Sequence, residues 1–120
     1  MEKPLRDALD VLLPELQRTS GLRPLIEERD GWVMLLNQDG CGQGVRLRGA
    51  NEPDELAQLA DQVQEWAVEE LWNQGRSATW PECPFHPNSH PLESAVVAGV
   101  ASWRCPKTAE RVAPIGVLSP

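Results

Sequence analysis

Apolar residues recur every three or four positions in two stretches of the chain, which predicts two amphipathic helices. The first covers residues 4–18, and its apolar face consists of Leu5, Leu9, Leu12, Leu13 and Leu16. Pro14 lies inside this pattern and lacks a backbone donor, which predicts a kink or a break. Gly21 marks the end of the predicted helix.

The second helical pattern, residues 53–73, is the clearest in the chain. Asn51 or Glu52 precedes Pro53, which is typical of a helix start, and Gly75 marks the end. The predicted apolar face consists of Leu56, Leu59, Ala60, Val63, Trp66, Ala67, Leu71 and Trp72. The opposite face carries Asp54, Gln58, Asp61, Glu65 and Glu69. This acidic face is the usual solvent-exposed side of such a helix, and it could also dock a basic partner.

The residues between the two helices have the pattern of an antiparallel β-meander. The predicted strands are 25–29, 32–37 and 45–48. Asp30-Gly31 is a two-residue hairpin signal between the first two strands. A glycine-rich turn leads into the third strand, in which apolar residues alternate with arginines.

The chain changes character after residue 75. Prolines at positions 81, 84, 87 and 91 exclude a helix or a long strand in that segment. Residues 93–97 and 100–104 then flank an Ala98-Gly99 turn, which predicts a β-hairpin. Residues 111–117 predict one more strand.

Composition and charge restrict the classes of partner. The 41% hydrophobic and 24% charged residues are ordinary for a globular domain. The net charge is −7, and residues 1–74 alone carry −8. Because an acidic body repels a phosphate backbone, we expect no general nucleic-acid binding. Nine arginines against two lysines resemble the coding bias of a high-GC bacterial genome.

Neither a membrane span nor a signal peptide is predicted. No run of about 18 apolar residues exists, and the first residues are charged where a signal peptide has its apolar run. Three cysteines, an odd number, do not suit a secreted disulfide framework. We therefore expect a soluble cytoplasmic protein.

Two Cys-Pro turns carry the candidate chemistry. Cys83-Pro84-Phe85-His86 has the spacing of a metal knuckle, and 18 residues separate it from Cys105-Pro106-Lys107-Thr108. Thr108 stands where a fourth ligand would fall, and threonine is not an ordinary zinc ligand. His90 follows His86 after three residues, a separation used by histidine ligand pairs. The candidate metal ligands are therefore Cys83, His86, His90 and Cys105.

Residues 80–117 resemble a zinc ribbon, whose knuckles often read C-P-x-C. The resemblance implies one structural zinc ion held between two turns by the hairpin that joins them, with Trp80 and Trp103 packing beside the turns. A ribbon without metal, held by apolar side chains alone, is the alternative. The whole chain also looks like small proteins of high-GC bacteria that end in C-P-x-H, H-P-L and W-x-C-P segments, and that likeness implies no function.

A catalytic use of the same cluster is the rival hypothesis. Three protein ligands and one water would suit hydrolysis, with Glu82 as a base. Cys83 and His90 could also form a nucleophile pair. The zinc deaminase pattern needs an upstream histidine that this chain lacks, and H-E-x-x-H is absent. Cys41, between glycines, is interpreted as an ordinary loop cysteine.

Together these patterns predict an α+β fold. A small antiparallel β-meander packs on one long helix beside the N-terminal helix, and a zinc-ribbon-like hairpin follows. We divide the chain into a body, residues 1–75, and a tail, residues 76–120, packed together as one compact domain. The predicted function is a non-enzymatic protein-interaction or adaptor module with one structural Zn²⁺ and a protein partner. The alternative is a zinc hydrolase or a thiol enzyme.

Overall fold

Two helices and two three-stranded antiparallel sheets form the part of the chain, residues 1–119, that the computed structural model describes. The predicted α+β class is therefore confirmed. In chain order the elements are α1 (Lys3–Ser20), β1 (Leu25–Arg29), β2 (Trp32–Leu36), β3 (Gly42–Val45), α2 (Glu52–Asn73), β4 (Glu93–Val97), β5 (Val100–Arg104) and β6 (Arg111–Pro114).

Helix α1 runs through Pro14 without the break that its sequence allowed. Pro14 lies on the exposed side of the helix, so the carbonyl that loses its partner can be solvated. The opposite side buries Leu5, Leu9, Leu12 and Leu16. Gly21 ends the helix in the left-handed conformation, and its amide donates to the Gln17 carbonyl at 2.8 Å.

The first sheet differs from prediction at its third strand. Strand β3 is Gly42–Val45 rather than residues 45–48, and Gly42 pairs with Leu36. A Cβ atom on Gly42 would collide with the Leu35 carbonyl oxygen, so glycine allows the backbones to approach at this position. Two of the glycines that suggested a turn, Gly42 and Gly44, therefore belong to the strand itself, and Gly40 remains in the turn.

Helix α2 begins as predicted, since the Asn51 side chain accepts a hydrogen bond from the Asp54 amide at 3.1 Å. The assignment of Trp72 to its apolar face is wrong: this side chain is 74% exposed. Trp72 follows the buried Val63 by nine residues, about two and a half turns, which places it on the opposite side of the helix. Trp66 is buried as predicted.

The second sheet places β5 between β4 and β6. The Ala98-Gly99 turn joins β4 and β5 at the predicted positions, with both residues at positive φ. Strand β6 ends at Pro114 rather than at residue 117. Trp80 and Trp103 pack edge to face, with ring centroids 5.4 Å apart. Both rings belong to the same hydrophobic core as the buried leucines of α1 and α2.

Candidate metal centre

The first knuckle lies in a loop, residues 82–91, that is closed at its neck. Glu82 and Pro91 form an isolated antiparallel bridge, and the Leu92 amide donates to the Pro81 carbonyl at 2.7 Å. Inside the loop, the Glu82 carboxylate accepts from the Asn88 amide at 3.1 Å. The loop thus presents Cys83, His86 and His90 toward one point.

The second knuckle follows β5 directly. The Ala109 amide donates to the Cys105 carbonyl at 2.8 Å, and the Cys105 amide donates to the Glu110 carbonyl at 2.9 Å, which closes a tight turn. Because Glu93 pairs with Arg104 across the β4–β5 hairpin, the hairpin returns Cys105 to the loop that precedes β4. The hairpin therefore brings the two knuckles together.

The four predicted ligands meet in the structure. Their ligand atoms all lie within 4.8 Å of one another, so this cluster could hold a metal ion. His86 Nδ1 lies 3.6 Å from Cys83 Sγ and 3.5 Å from Cys105 Sγ. His90 Nε2 lies 3.9 Å from Cys105 Sγ and 3.1 Å from His86 Nδ1.

These separations fit one tetrahedral ion. Zinc bonds of about 2.3 Å to sulfur and about 2.0 Å to nitrogen place a sulfur about 3.5 Å from a nitrogen, and two nitrogens about 3.3 Å apart. The observed sulfur–nitrogen distances are 3.5–3.9 Å, and the nitrogen–nitrogen distance is 3.1 Å. The widest separation in the group, up to 4.8 Å, would have to shorten by about 1 Å for all four atoms to bind one zinc ion.

One hydrogen bond of His90 determines which of its ring nitrogens has a lone pair available for a metal. Its Nδ1 lies 3.0 Å from the Pro91 carbonyl oxygen, which can only accept, so Nδ1 carries the proton. The lone pair is then on Nε2, which faces the cluster. Such a carbonyl partner is typical of metal-binding histidines, because it orients the ring and raises its basicity.

Thr108 supports the cluster without belonging to it. Burial by itself raises the pKa of the Cys105 thiol. Hydrogen bonds from the Thr108 hydroxyl, from the Thr108 and Lys107 amides and from Cys83 outweigh burial and lower that pKa to about 6. The thiolate, which is the form that binds metal, is therefore favoured at neutral pH.

Apolar packing buries almost none of the loop 82–91. Within residues 82–91 only Cys83 is buried, and even the apolar Phe85 is 45% exposed. Cys83 and Cys105 are both fully buried, next to a core that includes Leu92 and Trp103. The loop thus depends on its hydrogen bonds and on its ligand atoms rather than on a core of its own.

Gln64 of α2 supports the loop, and sequence analysis missed it. Its side-chain amide donates to the Trp80 carbonyl at 3.0 Å and to the Leu92 carbonyl at 2.7 Å, one on each side of the loop neck. In the sequence this residue is an unremarkable polar position within a helix. The only available signal was its place between the acidic and the apolar faces of α2.

Replacing Gln64 with alanine is expected to weaken the neck. The loss of two donors to part-buried carbonyls should lower the free energy of unfolding by about 1–3 kcal/mol and reduce metal affinity. Urea unfolding of the metal-loaded protein and a chelator titration measure the two effects. Gln58→Ala is the matched control, because Gln58 lies on the exposed face of the same helix. Equal losses in the two variants would show that Gln64 has no special role at the neck.

The other candidate residues lie outside the cluster or have different contacts. Cys41 is free and exposed, in the turn before β3. Its amide donates to the Asn37 side chain, and it is not part of the four-residue group. Glu82, considered as a base, instead caps the loop through the Asn88 amide.

Comparison with protein-family models, with curated proteins and with solved structures gives no match. The likeness of residues 80–117 to a zinc ribbon therefore rests on the two Cys-Pro turns and on the hairpin between them. What the structure adds is the convergence of Cys83, His86, His90 and Cys105 on a site that could hold a metal ion.

Proposed function

We propose that this chain is a non-enzymatic protein-interaction module whose loop 82–91 is held in place by one structural zinc ion. The observation that carries the proposal is the convergence of two buried cysteine sulfurs and two histidine nitrogens within 4.8 Å. All four donors come from the chain itself, so a tetrahedral ion would have no position left for a substrate.

The donor set favours zinc over other common ions. Two thiolates and two imidazoles form a borderline-soft set that does not suit magnesium or calcium, which prefer oxygen ligands. The sulfur–nitrogen and nitrogen–nitrogen separations of 3.1–3.9 Å suit a tetrahedral arrangement, which is the one zinc adopts in structural sites. Copper(I) and iron also bind thiolate and imidazole ligands, so the metal in the purified protein must be identified.

A structural role is supported by what else holds the loop. Three of the four ligands lie in residues 83–90, where only Cys83 is buried. A metal ion would link this loop to Cys105, directly after β5. Zinc binding to such ligands supplies roughly 10 kcal/mol or more to folding.

Cobalt substitution separates a structural site from a catalytic one. With four protein ligands, the cobalt-loaded protein should show intense tetrahedral bands and thiolate charge-transfer bands that do not change when azide is added. An open position, as in a hydrolase, would let azide bind and change the spectrum. An azide-sensitive spectrum would overturn the structural role and favour the rival hydrolase.

The charge distribution supports a protein partner rather than nucleic acid. With −8 on residues 1–74, the chain is expected to form no complex with random duplex DNA at physiological salt. Fluorescence anisotropy with a labelled duplex measures this. A salt-sensitive complex at roughly micromolar concentration would contradict the expectation.

A cytoplasmic location is part of the proposal. In the described part of the chain, no helix has both the length and the apolar character needed to cross a membrane. Thiolate ligands also remain available for metal in a reducing compartment. Fractionation of the native host would test the location directly.

A further inference from the structure

We propose that a groove beside Trp72 binds a short apolar peptide segment flanked by lysine or arginine. This inference rests on the proposed function as an interaction module and names the chemistry of its partner. The groove has a volume of about 690 Å³ and lies between the outer face of α2, the neck of the loop 82–91 and Pro106 of the second knuckle.

The floor of the groove is apolar. Val68 and Trp72 of α2 lie on one side, and the other apolar residues of the lining are Ala78, Pro91, Leu92 and Pro106. Trp72 is 74% exposed, although indole is among the most favourable groups to bury. Exposed tryptophans of this kind are the residues that most often dominate the affinity of an interface.

Carboxylates border this apolar floor. Glu65 and Glu69 also line the groove and lie one turn apart on α2. Both are exposed, and neither forms an ion pair with another side chain among residues 1–119. Glu93, a third carboxylate of the lining, is already paired with Arg104 at 2.6 Å. The groove therefore offers two unneutralised negative charges beside an apolar surface, which suits a partner with basic flanks.

The proposed metal is coupled to the shape of the groove. Pro91 follows His90 and Pro106 follows Cys105, so two lining residues are direct neighbours of metal ligands. A metal that fixes both ligands also fixes both prolines. Metal binding and peptide binding should therefore strengthen each other.

A second copy of this chain is a poor occupant. Two copies each carry a net charge of −7, and their acidic grooves would face one another across a two-fold interface. Like charges brought together in this way oppose association. Charge complementarity therefore selects a basic segment of a different protein.

Peptide display on the full, metal-loaded chain tests the inference. A random peptide library is selected on the wild-type protein after depletion on Trp72→Ala, and enriched peptides are measured by fluorescence anisotropy. We expect sequences with an apolar centre and lysine or arginine flanks. Trp72→Ala should weaken binding at least 10-fold, and the double variant Glu65→Gln, Glu69→Gln should weaken it several-fold and flatten its salt dependence.

Trp32→Ala is the matched control, because Trp32 is also exposed, at 47%, but lies on β2 outside the groove. It should leave peptide affinity unchanged. The inference is overturned if no sequence is enriched over Trp72→Ala, if acidic sequences are enriched, or if sedimentation shows a dimer that Trp72→Ala dissociates. If no peptide binds while the four-ligand zinc site is intact, the groove proposal is wrong and the proposal of a structural zinc stands. Peptide binding by a folded protein that contains no metal as purified removes the structural zinc alone.

Discussion

Removing the metal is expected to abolish hydrogen-exchange protection in β4 and β5, residues 93–104, while residues 56–71 of α2 stay protected. Residues 76–120 contain few large apolar side chains, and a segment of this size with so small a core rarely folds without a metal or a disulfide. The body instead buries the leucine faces of α1 and α2. Exchange measured with and without a strong chelator tests the difference.

The contact between body and tail should loosen without being lost entirely. Trp103 Nε1 donates to the buried Glu15 carboxylate at 2.9 Å, and the same carboxylate accepts from the Gly116 and Leu118 amides at 2.6 and 3.0 Å. These bonds join α1 to the tail independently of the metal. If α2 and the β4–β5 hairpin lose protection together, the chain is one cooperative unit and the division at residue 75 is wrong.

Replacing His90 with alanine should reduce zinc affinity by more than about 100-fold. Loss of a residue that merely supports a ligand costs 10–100-fold, so loss of the ligand itself should cost more. Competition with a chromophoric chelator measures the affinity. His90 Nε2 is the nitrogen that faces the cluster, 3.1 Å from His86 Nδ1, so no other atom of this side chain is involved.

Thr108→Ala is the matched control for His90→Ala. Thr108 contributes one of several hydrogen bonds to the Cys105 thiolate, and the backbone amides remain in the variant. Its effect should therefore lie at the low end of the 10–100-fold range for supporting residues, at about 10-fold. Equal, small effects of the two substitutions would mean that the fourth ligand lies elsewhere, at Cys41 or on a partner chain.

Local patterns were enough to predict most elements of the fold. The leucine spacing of α1, the Asn51 and Pro53 start of α2 and the Ala98-Gly99 turn each depend on neighbouring residues alone. The start of strand β3 was wrongly predicted because its glycines resemble a turn, whereas Gly42 is explained by the approach of the Leu35 carbonyl on the neighbouring strand. Trp72 was misplaced because apolar character was given more weight than its angular position on the helix.

The cluster of four possible metal ligands could be predicted because both histidines of the chain lie within seven residues of Cys83. Their spacing already indicated that His90, rather than Thr108, would complete the group. Gln64 and Glu15 could not be found in this way, because their partners lie 16 to 103 residues away in the sequence. Such long-range hydrogen bonds leave no local pattern.

X-ray absorption at the zinc edge, on protein purified without chelator, tests the proposed centre most directly. The proposal predicts one zinc per chain, with two sulfur ligands at about 2.3 Å and two imidazole nitrogens at about 2.0 Å. The four side chains that would supply them are Cys83, His86, His90 and Cys105. A fully folded protein without metal, or a zinc ion with fewer than four protein ligands, would contradict it.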